Sequence, residues 1–248
     1  MVRSLLVTGA SRGIGAATAT LAARRGYRVC VHYLRNADAA HAVVEAIRAD
    51  GGDAFAQQGD VANERDVLAL FETVDTRFGP LDALVNNAGM LERQTGIEGI
   101  DAARMQRVFA TNVVGTMLCA REAVKRMAHR HGGRGGAIVN VSSAAARSGS
   151  PGEYLDYAAT KGAVDTFTVG LAAEVAADGI RVNAVRPGFI RTGMHADGGE
   201  PGRVDRLAPV IPLRRGGEPD EVAHAILWLL SDEAGYTTGS FIDVAGGR

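Results

Sequence analysis

The sequence predicts an α/β fold, a doubly wound parallel sheet of about seven strands with helices on both faces, in one domain spanning residues 1–248. Short runs that are apolar on both faces alternate with longer stretches of helical spacing, the order expected of a sheet covered on two sides. The helical stretches are mostly Ala-rich, as helix propensity favours. No linker interrupts the alternation, and 32 glycines in 248 residues mark tight turns between units.

The first strand is Leu5–Val7, and its helix spans 13–25. Val29–Val31 follows with helix 37–50, Ala54–Ala56 with helix 63–78, and Ala83–Val85 with one long helix over 102–131. Ala137–Val141 precedes a helix at 154–178, Val182–Val185 precedes one at 219–231, and Phe241–Val244 closes the series. The stretch Phe189–Gly217 fits neither pattern, because Gly193, Gly198, Gly199, Gly202, Pro201, Pro209 and Pro212 punctuate it. It is expected to be an irregular lid over 190–213, with His195, Glu200 and Arg203 placed to touch a polar substrate.

Composition narrows the function. With 27 basic and 28 acidic side chains the net charge is -1, so no overall field favours nucleic acid or an anionic membrane. Arg121, Lys125, Arg126, His129, Arg130, His131 and Arg134 form a basic run, but without interleaved aromatics it suits a helix end and solvent. The six histidines show no metal-ligand spacing, and no metal is expected. Cys30 and Cys119 lie far apart without a Cys-x-x-Cys, as suits buried thiols of a reducing cytoplasmic protein. Trp228, among Ile226, Leu227, Leu229 and Leu230, reads as core or a subunit contact.

The first strand runs into Thr8-Gly9-Ala10-Ser11-Arg12-Gly13-Ile14-Gly15. Gly9 can turn the backbone out of the strand, Gly13 permits close approach of a ligand, and Gly15 permits close helix–sheet packing. The helix N-terminus behind them suits a pyrophosphate. A tight turn with no ligand is the plainer alternative for these glycines alone. On the helix at 154–178, Tyr157 and Lys161 share a face. An ammonium near a phenol would lower its pKa toward the working range of a general acid or base. Tyr154, the rival phenol, has Ala158 rather than a lysine four residues on.

Four further motifs stand at strand ends or in the long helix: Asn86-Asn87-Ala88-Gly89, Asn112, Val141-Ser142-Ser143 and Pro187-Gly188. With the glycine turn and Tyr157-x-x-x-Lys161, they resemble the single-domain branch of the short-chain dehydrogenase/reductase family over Leu5 to Gly247. The resemblance implies a Rossmann-type fold, NAD or NADP, and reversible hydride transfer between a carbonyl and a secondary alcohol. Ser143 resembles the serine that binds the substrate oxygen, Tyr157 the acid–base residue, Lys161 its partner on the nicotinamide ribose, and Asn112 the asparagine of a proton relay. Ser143 and Tyr157 stand fourteen positions apart, one more than the family implies, so Ser142 remains a rival for Ser143.

The resemblance also implies a set of cofactor contacts. Gly9, Ser11, Arg12, Gly13, Ile14 and Gly15 would cradle the pyrophosphate. Asp60, followed by Val61, would reach the adenine amino group or cap the next helix. Asn87, Ala88 and Gly89 would lie beside the adenine ribose, and Pro187, Gly188, Ile190 and Thr192 beside the carboxamide. Strand two ends in Val31-His32-Tyr33-Leu34-Arg35-Asn36 with no acid until Asp38, and Arg12 and Arg35 can fork onto a 2′-phosphate. NADP is therefore favoured over NAD, with Tyr33 stacking on adenine. Expected substrates are sugar- or polyol-like or 3-oxoacyl compounds, and a homotetramer is expected. A non-catalytic dinucleotide-sensing protein is the alternative from another class.

Overall fold

The computed structural model describes residues 2–248. Seven strands form one parallel sheet, in the order β3-β2-β1-β4-β5-β6-β7. They are β1 (Ser4–Val7), β2 (Arg28–Tyr33), β3 (Ala54–Gln58), β4 (Ala83–Asn86), β5 (Gly136–Val141), β6 (Ile180–Pro187) and β7 (Phe241–Val244). Each apolar run predicted as a strand lies within one of them. Between β1 and β4 the strand order reverses, which opens a crevice beyond the carboxyl ends of the strands.

Strand alternation splits the core into two layers. Leu5, Val7, Val29, Val31 and Val139 face one side, against α1 (Gly13–Arg24), α2 (Ala37–Ala49) and α10 (Pro219–Leu230). Leu6, Cys30, Leu84, Ile138 and Val182 face the other, against α3 (Glu64–Phe78), α5 (Gly115–Met127) and α7 (Leu155–Val175), the last preceded by the one-turn α6 (Ala145–Ser148). The helices start where their sequences allow: Asn36 and Asn63 accept from the backbone N–H groups of Ala39 and Arg65, and Pro219 opens α10.

Two expectations need correction. The long helix at 102–131 is broken: α4 (Ala102–Phe109) widens into a π turn at Ala110–Val114 before α5, and a short turn at His129–His131 follows. Asn112 sits in the widened turn because its side chain is bound to the backbone of Met90 in the loop after β4, and Gly115 leaves room for Val61. The 190–213 segment is not irregular. It holds α8 (Met194–Asp197), α9 (Arg203–Leu207) and a turn at Ala208–Val210, and a bridge between Ile190 and Gly217 closes its base. The basic run lies at the surface and is matched by intramolecular ion pairs: Arg121, Lys125 and Arg126 surround the buried Glu122, Arg130 pairs with Asp178 and Arg134 with Asp82.

Candidate active site

The turn from β1 into α1 forms a cradle for an anion. Gly9 and Gly13 take positive φ of 63° and 57°, which an L side chain resists. The N-terminus of α1 has no side-chain cap and no acidic residue in its first turn, so its amides are open to a negatively charged group. Asn87 braces the turn, donating to the carbonyls of Thr8 and Gly9 at 2.9 Å each, while Thr8 accepts from the amides of Asn87 and Ala88. Gly13 faces Thr192, and Gly188 lies tight against Ala245. Ser11 and Ile14 are half-buried at the mouth of the turn.

A second brace escaped sequence reasoning. His32 is buried; its Nδ1 accepts from the Gly9 amide at 3.1 Å, which makes Nε2 the donor to the Gly59 carbonyl at 3.0 Å. Burial pushes its imidazole from 6.5 down to about 4. Between those values the unfolded chain binds a proton that the folded one does not, so stability falls as pH drops through this window, by about 3 kcal/mol in total. Melting temperatures measured from pH 7 to 4 should therefore fall less steeply in His32→Asn than in the parent protein, and equal slopes would refute the assignment. The sequence signal was a polar residue inside an apolar strand.

The second set of residues opens on a cleft of about 570 Å³ lined by Ser143, Tyr157 and Lys161. Ser142 and Ser143 both line it, but the Ser142 hydroxyl is engaged, donating to Asp165 at 2.6 Å, which leaves the Ser143 hydroxyl as the one free to donate into the cleft. Lys161 lies four residues beyond Tyr157, and its buried Nζ is 5.5 Å from the centre of the Tyr157 ring. Nζ donates to the Val141 carbonyl at 2.8 Å and makes no other hydrogen bond among the described residues, so two of its three donors are available to a ligand. Asn112 does not reach the cleft with its amide, which is taken up by Met90 and by Thr160. Its main-chain carbonyl accepts from Thr116.

The acidity of the phenol differs from the expectation. Burial pushes Tyr157 up to about 12, and the Ser143 hydroxyl is the group that draws it back. Burial also lowers Lys161 to about 8, so desolvation rather than the ammonium sets both values in the ligand-free protein.

Other predicted contacts fall elsewhere. Tyr33 packs in the core, edge-on to His41 at 6.2 Å, because it shares the inward parity of Val29 and Val31; its ring is not offered to adenine. Asp60 lines a smaller hollow with Leu34 and Gln58, and its carboxylate accepts from the Ala62 amide; Val61 is buried under Gly115. Asp60 does not cap α3, whose first residue is preceded by Asn63. Arg12 pairs with Asp197 on α8, whereas the exposed Arg35 has no ion-pair partner among the described residues. Asn87 and Gly89 line the cleft, with Gly89 beside Lys161 Nζ and Asn112 Oδ1, whereas Ala88 packs against the core. Pro187, Gly188, Ile190 and Thr192 line it, although the Ile190 carbonyl is bound by His195. Arg203 lines the cleft but is matched by Glu153 and Glu200, and Glu200 also binds Arg206 and Gln94. Neither Arg203 nor Glu200 offers free charge to a substrate.

An uncapped glycine turn at the strand-order reversal, with a phenol, a hydroxyl and a buried ammonium converging beside it, defines a dinucleotide-dependent oxidoreductase. Comparison with known proteins gives the family. The enoyl-(acyl carrier protein) reductase family model matches residues 9–248. The chain is 62% identical over 243 residues to the uncharacterized oxidoreductase YgfF of Escherichia coli, covering 98% of each chain. It is 41% identical over 247 residues to the 3-oxoacyl-[acyl-carrier-protein] reductase FabG of Staphylococcus aureus, covering all of this chain and 98% of the relative. A solved short-chain type dehydrogenase/reductase from Mycobacterium marinum superposes with a TM-score of 0.92 at 33% identity, over 99% of this chain and 94% of that one. The chain belongs to the short-chain dehydrogenase/reductase family, and it is an NAD(P)-dependent oxidoreductase.

Proposed function

We propose that the protein uses NADPH to reduce the ketone of a neutral, 3-oxoacyl-like substrate. The observation that carries this reading is the cleft itself: Ser143, Tyr157 and Lys161 meet between apolar walls of Leu91, Phe189, Met194 and Leu207. Of the other charged side chains that line the cleft, Arg203 is matched by Glu153 and Arg147 by Asp243, while Arg248 at its edge lies over the Phe189 ring. Such a surface favours an uncharged acyl chain over a carboxylate or a polyol.

The glycine turn and α1 would hold the pyrophosphate, Lys161 the nicotinamide ribose, and Pro187 to Thr192 the carboxamide. When bound, the cofactor supplies the hydride. The Ser143 hydroxyl holds the carbonyl oxygen, and Tyr157 donates its proton there as negative charge develops. Burial keeps this phenol protonated at neutral pH, so it stands ready as the proton donor that reduction requires. The Lys161 ammonium steadies the phenolate left behind.

Arg35 is the residue we assign to the 2′-phosphate. Arg35→Ala should weaken NADP binding roughly tenfold to a hundredfold with little change for NAD, as the loss of a charge-assisted bond implies. Arg12→Ala should cost less, because Arg12 must leave Asp197 first. Equal losses for both cofactors in Arg35→Ala would refute the assignment.

A panel of acetoacetyl thioesters, sugars and polyols tests the substrate, with each cofactor and in both directions. Fastest NADPH oxidation on the thioester supports the reading, a faster sugar or polyol overturns it, and tight NADPH binding without turnover supports a sensing protein. We also assign a homotetramer, since Met105, Phe109, Val114 and Met117 expose apolar surface along α4, the π turn and α5, β7 is a sheet edge, and Trp228 on α10 is partly exposed. A monomer mass by light scattering at micromolar protein would refute it. No helix among the described residues is long and apolar enough to cross a membrane. Our cytoplasmic assignment is supported by Cys30 and Cys119, which are buried free thiols.

A further inference from the structure

Away from the cleft, one ion pair is buried on both sides. Arg104 on α4 and Asp156 on α7 are 7% and 6% exposed. Nε and Nη2 of Arg104 donate to Oδ2 and Oδ1 of Asp156 at 2.7 and 3.1 Å, and Nη1 donates to the Arg93 carbonyl at 2.7 Å. Burying such a pair costs desolvation that two apolar residues would avoid, so stability alone does not account for it. Its position offers another account. Asp156 Oδ1 also accepts the backbone N–H of Tyr157 at 2.9 Å. Thr160 Oγ1 donates to the Tyr157 carbonyl at 2.6 Å and accepts from Asn112 Nδ2 at 3.0 Å. Side chains thus hold both main-chain polar groups of Tyr157, and Arg104 lies on the helix that runs into the π turn bearing Asn112.

We propose that the Arg104–Asp156 pair positions Tyr157 for proton transfer through its main chain and, being neutral as a pair, keeps net charge off the residue next to it, so that both are positioning residues of the reaction. The inference rests on Tyr157 being the residue that transfers the proton. Other charged or titratable groups around the cleft that holds the phenol are Lys161 on α7 with Asp165 acting on it, the Arg203–Glu153 and Arg147–Asp243 pairs, Arg248, and His195 on α8. Glu92, Arg107 and Asp101 surround Arg104 from its other side. These are common to all the variants below. Only the balance between Arg104 and Asp156 changes.

The two halves act in opposite directions. Arg104→Gln leaves a buried carboxylate that opposes the phenolate. Asp156→Asn keeps an acceptor for the Tyr157 amide but leaves a buried guanidinium that favours the phenolate. A unit charge in partly desolvated surroundings, one side chain away, moves a titration by roughly half a unit to one unit. The alkaline limb of kcat for ketone reduction should therefore move up in Arg104→Gln, down in Asp156→Asn, and back to within a few tenths of a unit in the double variant. Cofactor KM should stay within about twofold throughout. In the cofactor-free protein, phenolate absorbance at pH 11, taken against the matching Tyr157→Phe protein, should fall in Arg104→Gln and rise in Asp156→Asn. If Arg104→Gln fails to fold, Arg104→Lys, which keeps the charge and loses the fork, should retain the limb while lowering kcat severalfold. Shifts in the same direction, or none, with Tyr157→Phe inactive would overturn the inference alone. An active Tyr157→Phe would instead overturn the assignment of Tyr157.

Discussion

Tyr157→Phe is expected to lower turnover by about a hundredfold to ten-thousandfold while cofactor affinity stays within about twofold. The substitution removes one O–H and keeps the ring that packs beneath Lys161 Nζ, so the cradle formed by the glycine turn is untouched. Tyr154 supplies the control. Its hydroxyl donates to the Gly198 carbonyl at 3.3 Å, and its ring lies under Arg203 at 5.3 Å. Tyr154→Phe should thus alter substrate KM modestly and leave the proton-transfer step intact. Steady-state rates with cofactor dissociation constants measured in parallel decide the matter; an active Tyr157→Phe beside an inactive Tyr154→Phe would reverse the two assignments.

Gly15→Ala should disable dinucleotide binding. A methyl group there would stand 2.4 Å from the Gly9 carbonyl oxygen, 2.5 Å from Asn87 Nδ2 and 2.9 Å from the Ala10 Cα. Two of these three atoms are backbone, and the third is tied to Thr8 and Gly9, so no flexible side chain can yield. Overpacking of this kind costs about 1–3 kcal/mol, and relief requires α1 to lift from the turn it serves. Both cofactors should lose affinity together by roughly tenfold to a hundredfold, with a lower melting temperature. A selective loss of NADP would show that the clash is relieved elsewhere, near the 2′-phosphate, and would count against this account of the turn.

Much of the fold was legible because its signals are local. Apolar runs such as Leu5–Val7 and Ala137–Val141 mark strands, the parity of each run assigns it to a core layer, and Asn36 and Asn63 mark helix starts. The broken helix at Ala110–Val114 was not legible, because its spacing is helical on both sides and the widening follows from a bond to Met90, twenty-two residues earlier. Glycines and prolines in the 190–213 segment suggested irregular chain. Ion pairs from Arg12, Arg191, Arg203 and Arg206 instead hold two short helices there. Tyr33 could have been placed correctly from sequence, since Val29 and Val31 share its parity.

What the sequence determined by itself is therefore the sheet, the glycine turn, and the shared face of Tyr157 and Lys161, all of which follow from periodicities of a few residues. Only the tertiary structure decided that the Ser142 hydroxyl is spent on Asp165, that Asp197 holds Arg12, and that Asp156 joins Arg104 to the amide of Tyr157. It also decided that the Tyr157 phenol is raised rather than lowered. Partners such as Arg12 and Asp197 stand 185 residues apart, and the cost of burying a phenol depends on everything packed around it. Neither long-range pairing nor desolvation leaves a mark in local spacing.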